Sequence, residues 1–140
     1  IGGDKMPNWC VNTLRVSFRH PDALVEFMKD VESEEAFLDF ERIAPAPEHL
    51  RDNGDWYCEN WGTSGNAYNS YRTRVNDRIA VYDFYTRWSP PVPILERLAE
   101  LYPHGHFRLS YWESGAGFSG WVSSSGKSHY NNRYRGRKGG

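Results

Sequence analysis

The sequence predicts an α+β fold of the ferredoxin-like kind, a split βαβ sandwich in which an antiparallel sheet carries two helices on one face. Three observations predict it. Polar and apolar residues alternate in several short segments, apolar residues recur at helical spacing in two others, and the two kinds follow one another as strand, helix, strand, strand, helix, strand. A chain of 140 residues has the length of one ordinary domain.

The elements follow in order. Leu14, Val16 and Phe18 share one face of a strand over residues 12–18, and His20-Pro21-Asp22 ends it. Pro21 suits the first turn of a helix over 21–32, with Leu24, Phe27, Met28 and Val31 as its apolar stripe. Asp30, Glu32, Glu34 and Glu35 oppose the helix dipole and place its end near Val31. Residues 37–64 form an insertion. Its prolines Pro45 and Pro47 forbid regular pairing, a short helical turn fits around 47–51, and a second over Trp56–Trp61 would end at Gly62. Residues 68–75 and 78–85 read as paired strands, with Asn76-Asp77 as a two-residue turn of positive φ. Pro90-Pro91-Val92-Pro93 leads into a helix with Ile94, Leu95, Leu98 and Leu101 on one side, stopped by Pro103-His104-Gly105. Phe107, Leu109 and Tyr111 alternate in the next strand. Gly115-Ala116-Gly117 then turns the chain into an extra C-terminal hairpin strand over 118–122.

Met6-Pro7-Asn8-Trp9 reads as a natural start, which makes Ile1–Lys5 a leftover of expression, residues 6–122 the domain and residues 123–140 a disordered tail. From Ser123 onward there are five bases and no acid, whereas the first 122 residues hold twelve bases and eighteen acids. An acidic body thus carries a basic tail. Two cysteines, Cys10 and Cys58, are too few for a disulfide framework and read as reduced thiols of a cytoplasmic protein. No apolar stretch is long enough to span a membrane as a helix.

Five clusters exceed what a generic fold requires: Met6-Pro7-Asn8-Trp9-Cys10 with Asn12, Ile43-Ala44-Pro45-Ala46-Pro47-Glu48, Glu59-Asn60-Trp61-Gly62-Thr63, Trp88-Ser89-Pro90-Pro91-Val92-Pro93, and Glu113 with Gly117, Phe118 and Gly120. In order and spacing they resemble the YubB-type ferredoxin-like family of phages, plasmids and other mobile elements. Where relatives have Lys-Trp after the equivalent of Thr63, this chain has Ser64-Gly65. The resemblance implies the fold and an origin in a mobile element. It brings no established activity, and the fold by itself hosts many functions.

The residues suggest a ligand site in which Trp61, Trp88, Trp112 and Phe118 supply aromatic walls and Asn60 and Glu113 polar groups, suited to a base, a nucleotide or a peptide. The competing reading is packing, with the tryptophans pinning the insertion and the glycines and prolines fixing turns. Glu113 would then receive backbone N–H groups or pair with an Arg such as Arg87. In the tail, Lys127, Arg133, Tyr134, Arg135, Arg137 and Lys138 suit sequence-tolerant contact with RNA or single-stranded DNA. His104-Gly105-His106 offers two imidazoles where a zinc site needs three or four ligands, and no phosphate loop, nucleophile elbow or C-x-x-C motif is present. The expectation is a non-enzymatic accessory protein without a cofactor or metal. It would bind a host or phage protein or, alternatively, a nucleotide or single-stranded nucleic acid.

Overall fold

A computed structural model describes residues 7–132. The elements run β1 (Trp9–Phe18), α1 (Pro21–Val31), two 3-10 turns (Phe40–Arg42 and Glu48–Leu50), α2 (Gly54–Asn60), β2 (Tyr68–Arg74), β3 (Ile79–Arg87), α3 (Val92–Leu101), β4 (Gly105–Glu113), β5 (Phe118–Ser123) and β6 (Ser128–Asn131). The sheet order is β2-β3-β1-β4-β5-β6, antiparallel throughout. Its first four strands have the ferredoxin-like order, with the first and third strands of the chain central and each βαβ connection skipping over a neighbour.

One face of the sheet is covered. Leu14, Val16 and Phe18 of β1, Ala80, Tyr82 and Phe84 of β3, and Phe107 and Leu109 of β4 form a single core with the stripes of α1 and α3. Phe27 of α1 is its centre, with Phe18, Tyr82, Tyr102 and Phe107 ringed around it at centroid separations of 5.1–6.1 Å. Four aromatic neighbours at edge and tilted angles show how this core reaches volume with few aliphatic residues.

The insertion is pinned to the same side. Asn53 opens α2 by accepting the Trp56 N–H at 2.9 Å, and Gly62 follows the helix at φ +82°. Buried Trp61 packs on Phe40 and Tyr57 and donates its Nε1–H to the Ala44 carbonyl at 2.8 Å. Gly62 then passes so close to the start of α3 that a Cβ would lie 2.5 Å from Pro93 Cδ.

Three expectations need correction. Strand β1 begins at Trp9 rather than Asn12, because Trp9, Cys10 and Val11 continue the ladder opposite Arg87, Thr86 and Tyr85. The loop between β2 and β3 spans residues 75–78, and neither Asn76 nor Asp77 has positive φ. Asn76 Oδ1 instead accepts the Arg78 N–H, and the Arg74 guanidinium bonds the carbonyls of Asn76 and Asp77. Regular structure also continues beyond Ser123 as far as Asn131. Ser128–Asn131 pair with Ser119–Val122 as a sixth strand, after a turn in which Gly126 takes φ +94°.

Candidate functional site: the open sheet face

Strand pairing places every outward residue of the second face in register. One row across the sheet reads Tyr68, Tyr85, Val11, Trp112, Ser119, Asn131. The next reads Tyr71, Asp83, Thr13, Ser110, Trp121, His129, and a third reads Thr73, Val81, Arg15, Arg108, Ser123. Trp9 and Arg87 are paired at one end, Ser17 and His106 near the other. Alternation puts these side chains opposite the buried ones. None of them belongs to the buried core, and the helices cover only the other side.

Six large rings lie on this face: Trp9, Tyr68, Tyr71, Tyr85, Trp112 and Trp121. Trp9 and Tyr68 are stacked, with centroids 5.0 Å apart and planes 23° from parallel, and Tyr85 meets Trp9 edge-on at 6.3 Å. Trp112 stands apart and is 50% exposed. The Arg108 guanidinium lies over the Trp121 ring at 4.1 Å, a cation–π arrangement that leaves the guanidinium edge available for hydrogen bonds. The charges here are Arg15, Arg87 and Arg108, with Asp83 the one acid among the described outward strand residues; its carboxylate accepts the Thr13 hydroxyl at 2.8 Å. The face is therefore aromatic and cationic.

The six residues expected to form one pocket do not converge. Trp61 is core, and Asn60 donates its side-chain N–H to the Trp56 carbonyl within its own helix. Trp112 lies on the open face while Glu113, its neighbour in β4, points to the other side and is buried. Alternation along one strand forbids the two from lining one cavity. The Glu113 carboxylate accepts the backbone N–H groups of Gly115 and Ala116, so its charge is spent on the β4–β5 turn. Phe118 sits half-buried between Tyr111 and Tyr130 on the covered side. Trp88 is 53% exposed and has φ +68°, a left-handed conformation that costs energy in a tryptophan. Lys127 lies exposed in the β5–β6 turn, and Arg133, Tyr134, Arg135, Arg137 and Lys138 lie outside the described residues.

Sequence reasoning missed Trp9, Tyr68, Tyr85, Trp121 and Arg108 as site residues. The signal was the parity of Trp9 against Leu14 and Val16, which becomes readable once the strand is extended back past Asn12.

Beneath the end of this face, buried polar groups form a relay. Asn12 Nδ2 donates to Thr86 Oγ1 at 2.9 Å, Thr86 Oγ1 donates to the Ser89 carbonyl at 2.6 Å, and Ser89 Oγ donates to the Gly62 carbonyl. Thr63 Oγ1 donates to the Arg87 carbonyl at 2.7 Å. Burial next to this relay pushes the Cys10 thiol up to about 12, with a smaller upward push from the Glu113 charge and an opposing hydrogen bond from Thr86. This thiol is a packed, inert group. Among the described residues no cluster of three or more potential metal ligands occurs, and no helix is long and apolar enough to cross a membrane.

Comparison with known proteins agrees with the topology. No curated protein matches the chain. The crystal structure of protein Api92 from Yersinia pseudotuberculosis is similar, with a TM-score of 0.57 at 19% sequence identity. The similarity covers 66% of this chain and 39% of that one, so this chain spans about two fifths of the length of Api92. At that identity the likeness shows the fold alone. The family model described as the ferredoxin-like domain in Api92-like protein matches residues 67–135, taking in β2 to β6. In its second half, then, this chain is similar to the ferredoxin-like domain of Api92-like proteins.

Proposed function

We propose that this protein is a non-enzymatic binding module whose open sheet face takes single-stranded nucleic acid. The observation that carries the reading is the row of rings flanked by arginines on an uncovered, in-register surface. Unpaired bases stack on aromatic side chains and on guanidinium planes, and the phosphates between them are drawn to nearby cations. Trp112, the Arg108–Trp121 pair and the Trp9–Tyr68 stack offer three such positions across the five strands from β2 to β5 in the sheet order. Charge segregation favours the same partner. The segment from α1 to α2, residues 21–60, holds twelve acids and three bases, whereas the outward strand residues carry one acid, Asp83, and three bases, Arg15, Arg87 and Arg108. A polyanion meets attraction from the sheet and repulsion from the helical layer.

Fluorescence anisotropy with labelled mixed-sequence DNA and RNA dodecamers tests this. Binding should weaken with salt, and Trp112→Ala and Arg108→Ala should each weaken it about tenfold. Absence of binding at low salt, or affinities untouched by both substitutions, would overturn the reading. A protein partner, of the host or of a phage, is the second reading. Trp, Tyr and Arg also dominate the centres of protein interfaces. It becomes primary if oligonucleotides fail and the same substitutions abolish capture of a specific protein. The compartment we propose is the cytoplasm, supported by the two free thiols Cys10 and Cys58 and by the resemblance to mobile-element proteins.

A further inference from the structure

At the corner of the molecule farthest along β1 from Trp9, four cationic or titratable side chains that no part of the aromatic platform uses line one cavity. Arg19 and His20 follow the last residue of β1, and His104 and His106 flank the first residue of β4. All four line the same recess, of about 640 Å³. The register explains why they meet: Phe18 lies opposite Gly105 and Ser17 opposite His106, so the exit of β1 and the entry of β4 are side by side. Gly105 makes the approach possible, because a Cβ there would lie 2.8 Å from the Phe18 ring and 2.9 Å from the Phe107 ring. From the β2–β3 loop, Arg78 joins the corner by donating its Nε–H to the Arg19 carbonyl at 2.8 Å. Helix α1 begins at Pro21, directly after His20, and brings the positive end of its dipole. Two acids are near in sequence. Asp22 is in the first turn of α1, and Asp77 stands 3.7 Å from the Arg78 guanidinium; neither lines the recess.

We propose that this recess is a phosphate site, in which Arg19 supplies a paired set of N–H donors and the three imidazoles supply further N–H donors. Its four lining residues carry no carboxylate to compete with the ligand. A tetrahedral dianion needs several convergent donors, and a guanidinium with imidazoles on two adjoining turns provides them from more than one direction. The phosphate is either a free phosphate ester or the terminal phosphate of a bound strand. Only the second source rests on the proposed strand binding, for which His106, outward on β4 next to the Arg15–Arg108 row, would join the two sites.

The test is NMR of the imidazole signals at about pH 6, where ordinary histidines carry much of their charge. The full chain is titrated first with inorganic phosphate, then with a dodecamer bearing or lacking a terminal phosphate at either end. With inorganic phosphate, saturable shifts of His20, His104 and His106 are expected, with His129 unmoved. Arg19→Gln combined with His104→Gln, both exposed positions, should weaken phosphate binding about tenfold. With inorganic phosphate, no saturable shift, equal movement of His129, or a double variant that binds like the parent would overturn the site. A terminal phosphate that tightens strand binding only in the parent identifies the strand as the source. Phosphate binding without any such gain identifies a free phosphate ester. Failure of the unphosphorylated dodecamer while inorganic phosphate still binds overturns the platform and leaves this site standing.

Discussion

The ten residues of β1 build two surfaces of opposite character by parity alone. Cys10, Asn12, Leu14, Val16 and Phe18 point into the helical layer and are buried, whereas Trp9, Val11, Thr13, Arg15 and Ser17 point the other way and remain partly or fully exposed. On the covered side, rings meet rings away from the surface, so their burial stabilises the fold. On the open side the rings have water on one flank, so their apolar area is left for something else to cover. The same residue types therefore hold the molecule together on one face and stay exposed on the other.

Substitutions on either side of the sheet measure that difference. Phe27→Ala, which removes the ring at the centre of the covered face, should cost about 3–5 kcal/mol in urea unfolding. Gly62→Ala combines a left-handed φ with a contact 2.5 Å from Pro93 and 3.0 Å from the Pro90 carbonyl, and should cost about 1–3 kcal/mol. An unchanged unfolding midpoint would show that the insertion is not clamped there. Trp112→Ala, on the open face, should shift stability by less than about 0.5 kcal/mol while weakening oligonucleotide binding. A large loss of stability would mean that this ring is structural and that the two faces are less distinct than they look.

A further difference is titrational and shows only at alkaline pH. The Cys10 thiol ionises near 9.0 in an unfolded chain and at about 12 when folded, and Tyr82 is likewise pushed from 10.0 to about 12, chiefly by burial. Both raised values mean that the folded state holds its protons longer. The stabilisation is complete below the unfolded values and declines as pH rises from about 9 toward about 12. Cys10→Ala should flatten the first part of that decline, read as urea midpoints across the window. In the native protein a thiol reagent should modify exposed Cys58 and spare buried Cys10.

The order of elements was legible in the sequence because burial writes its period into it. Leu14, Val16 and Phe18, or Ile94, Leu95 and Leu98, can be read without a structure. The open face was not legible, since an unburied surface imposes no apolar pattern, and Trp9 lies before the residues 12–18 whose alternation marks the strand. Strand β6 was hidden for the same reason. Ser128, His129, Tyr130 and Asn131 carry no alternation, and their strand comes from backbone pairing with β5. The expected pocket failed because adjacency in sequence, as at Trp112-Glu113, is opposition in a strand.

The relay from Asn12 through Thr86 and Ser89 to Gly62 links the insertion to the middle of the sheet without passing through the apolar core. Opening any joint strands a buried donor or acceptor at the next, so the segment from Trp61 to Thr63 and the exit of β3 should come apart as one cooperative unit. Residues 37–64 are in that sense a bolted part of the chassis, and amide exchange there should track the exchange of β3 and not that of a surface loop.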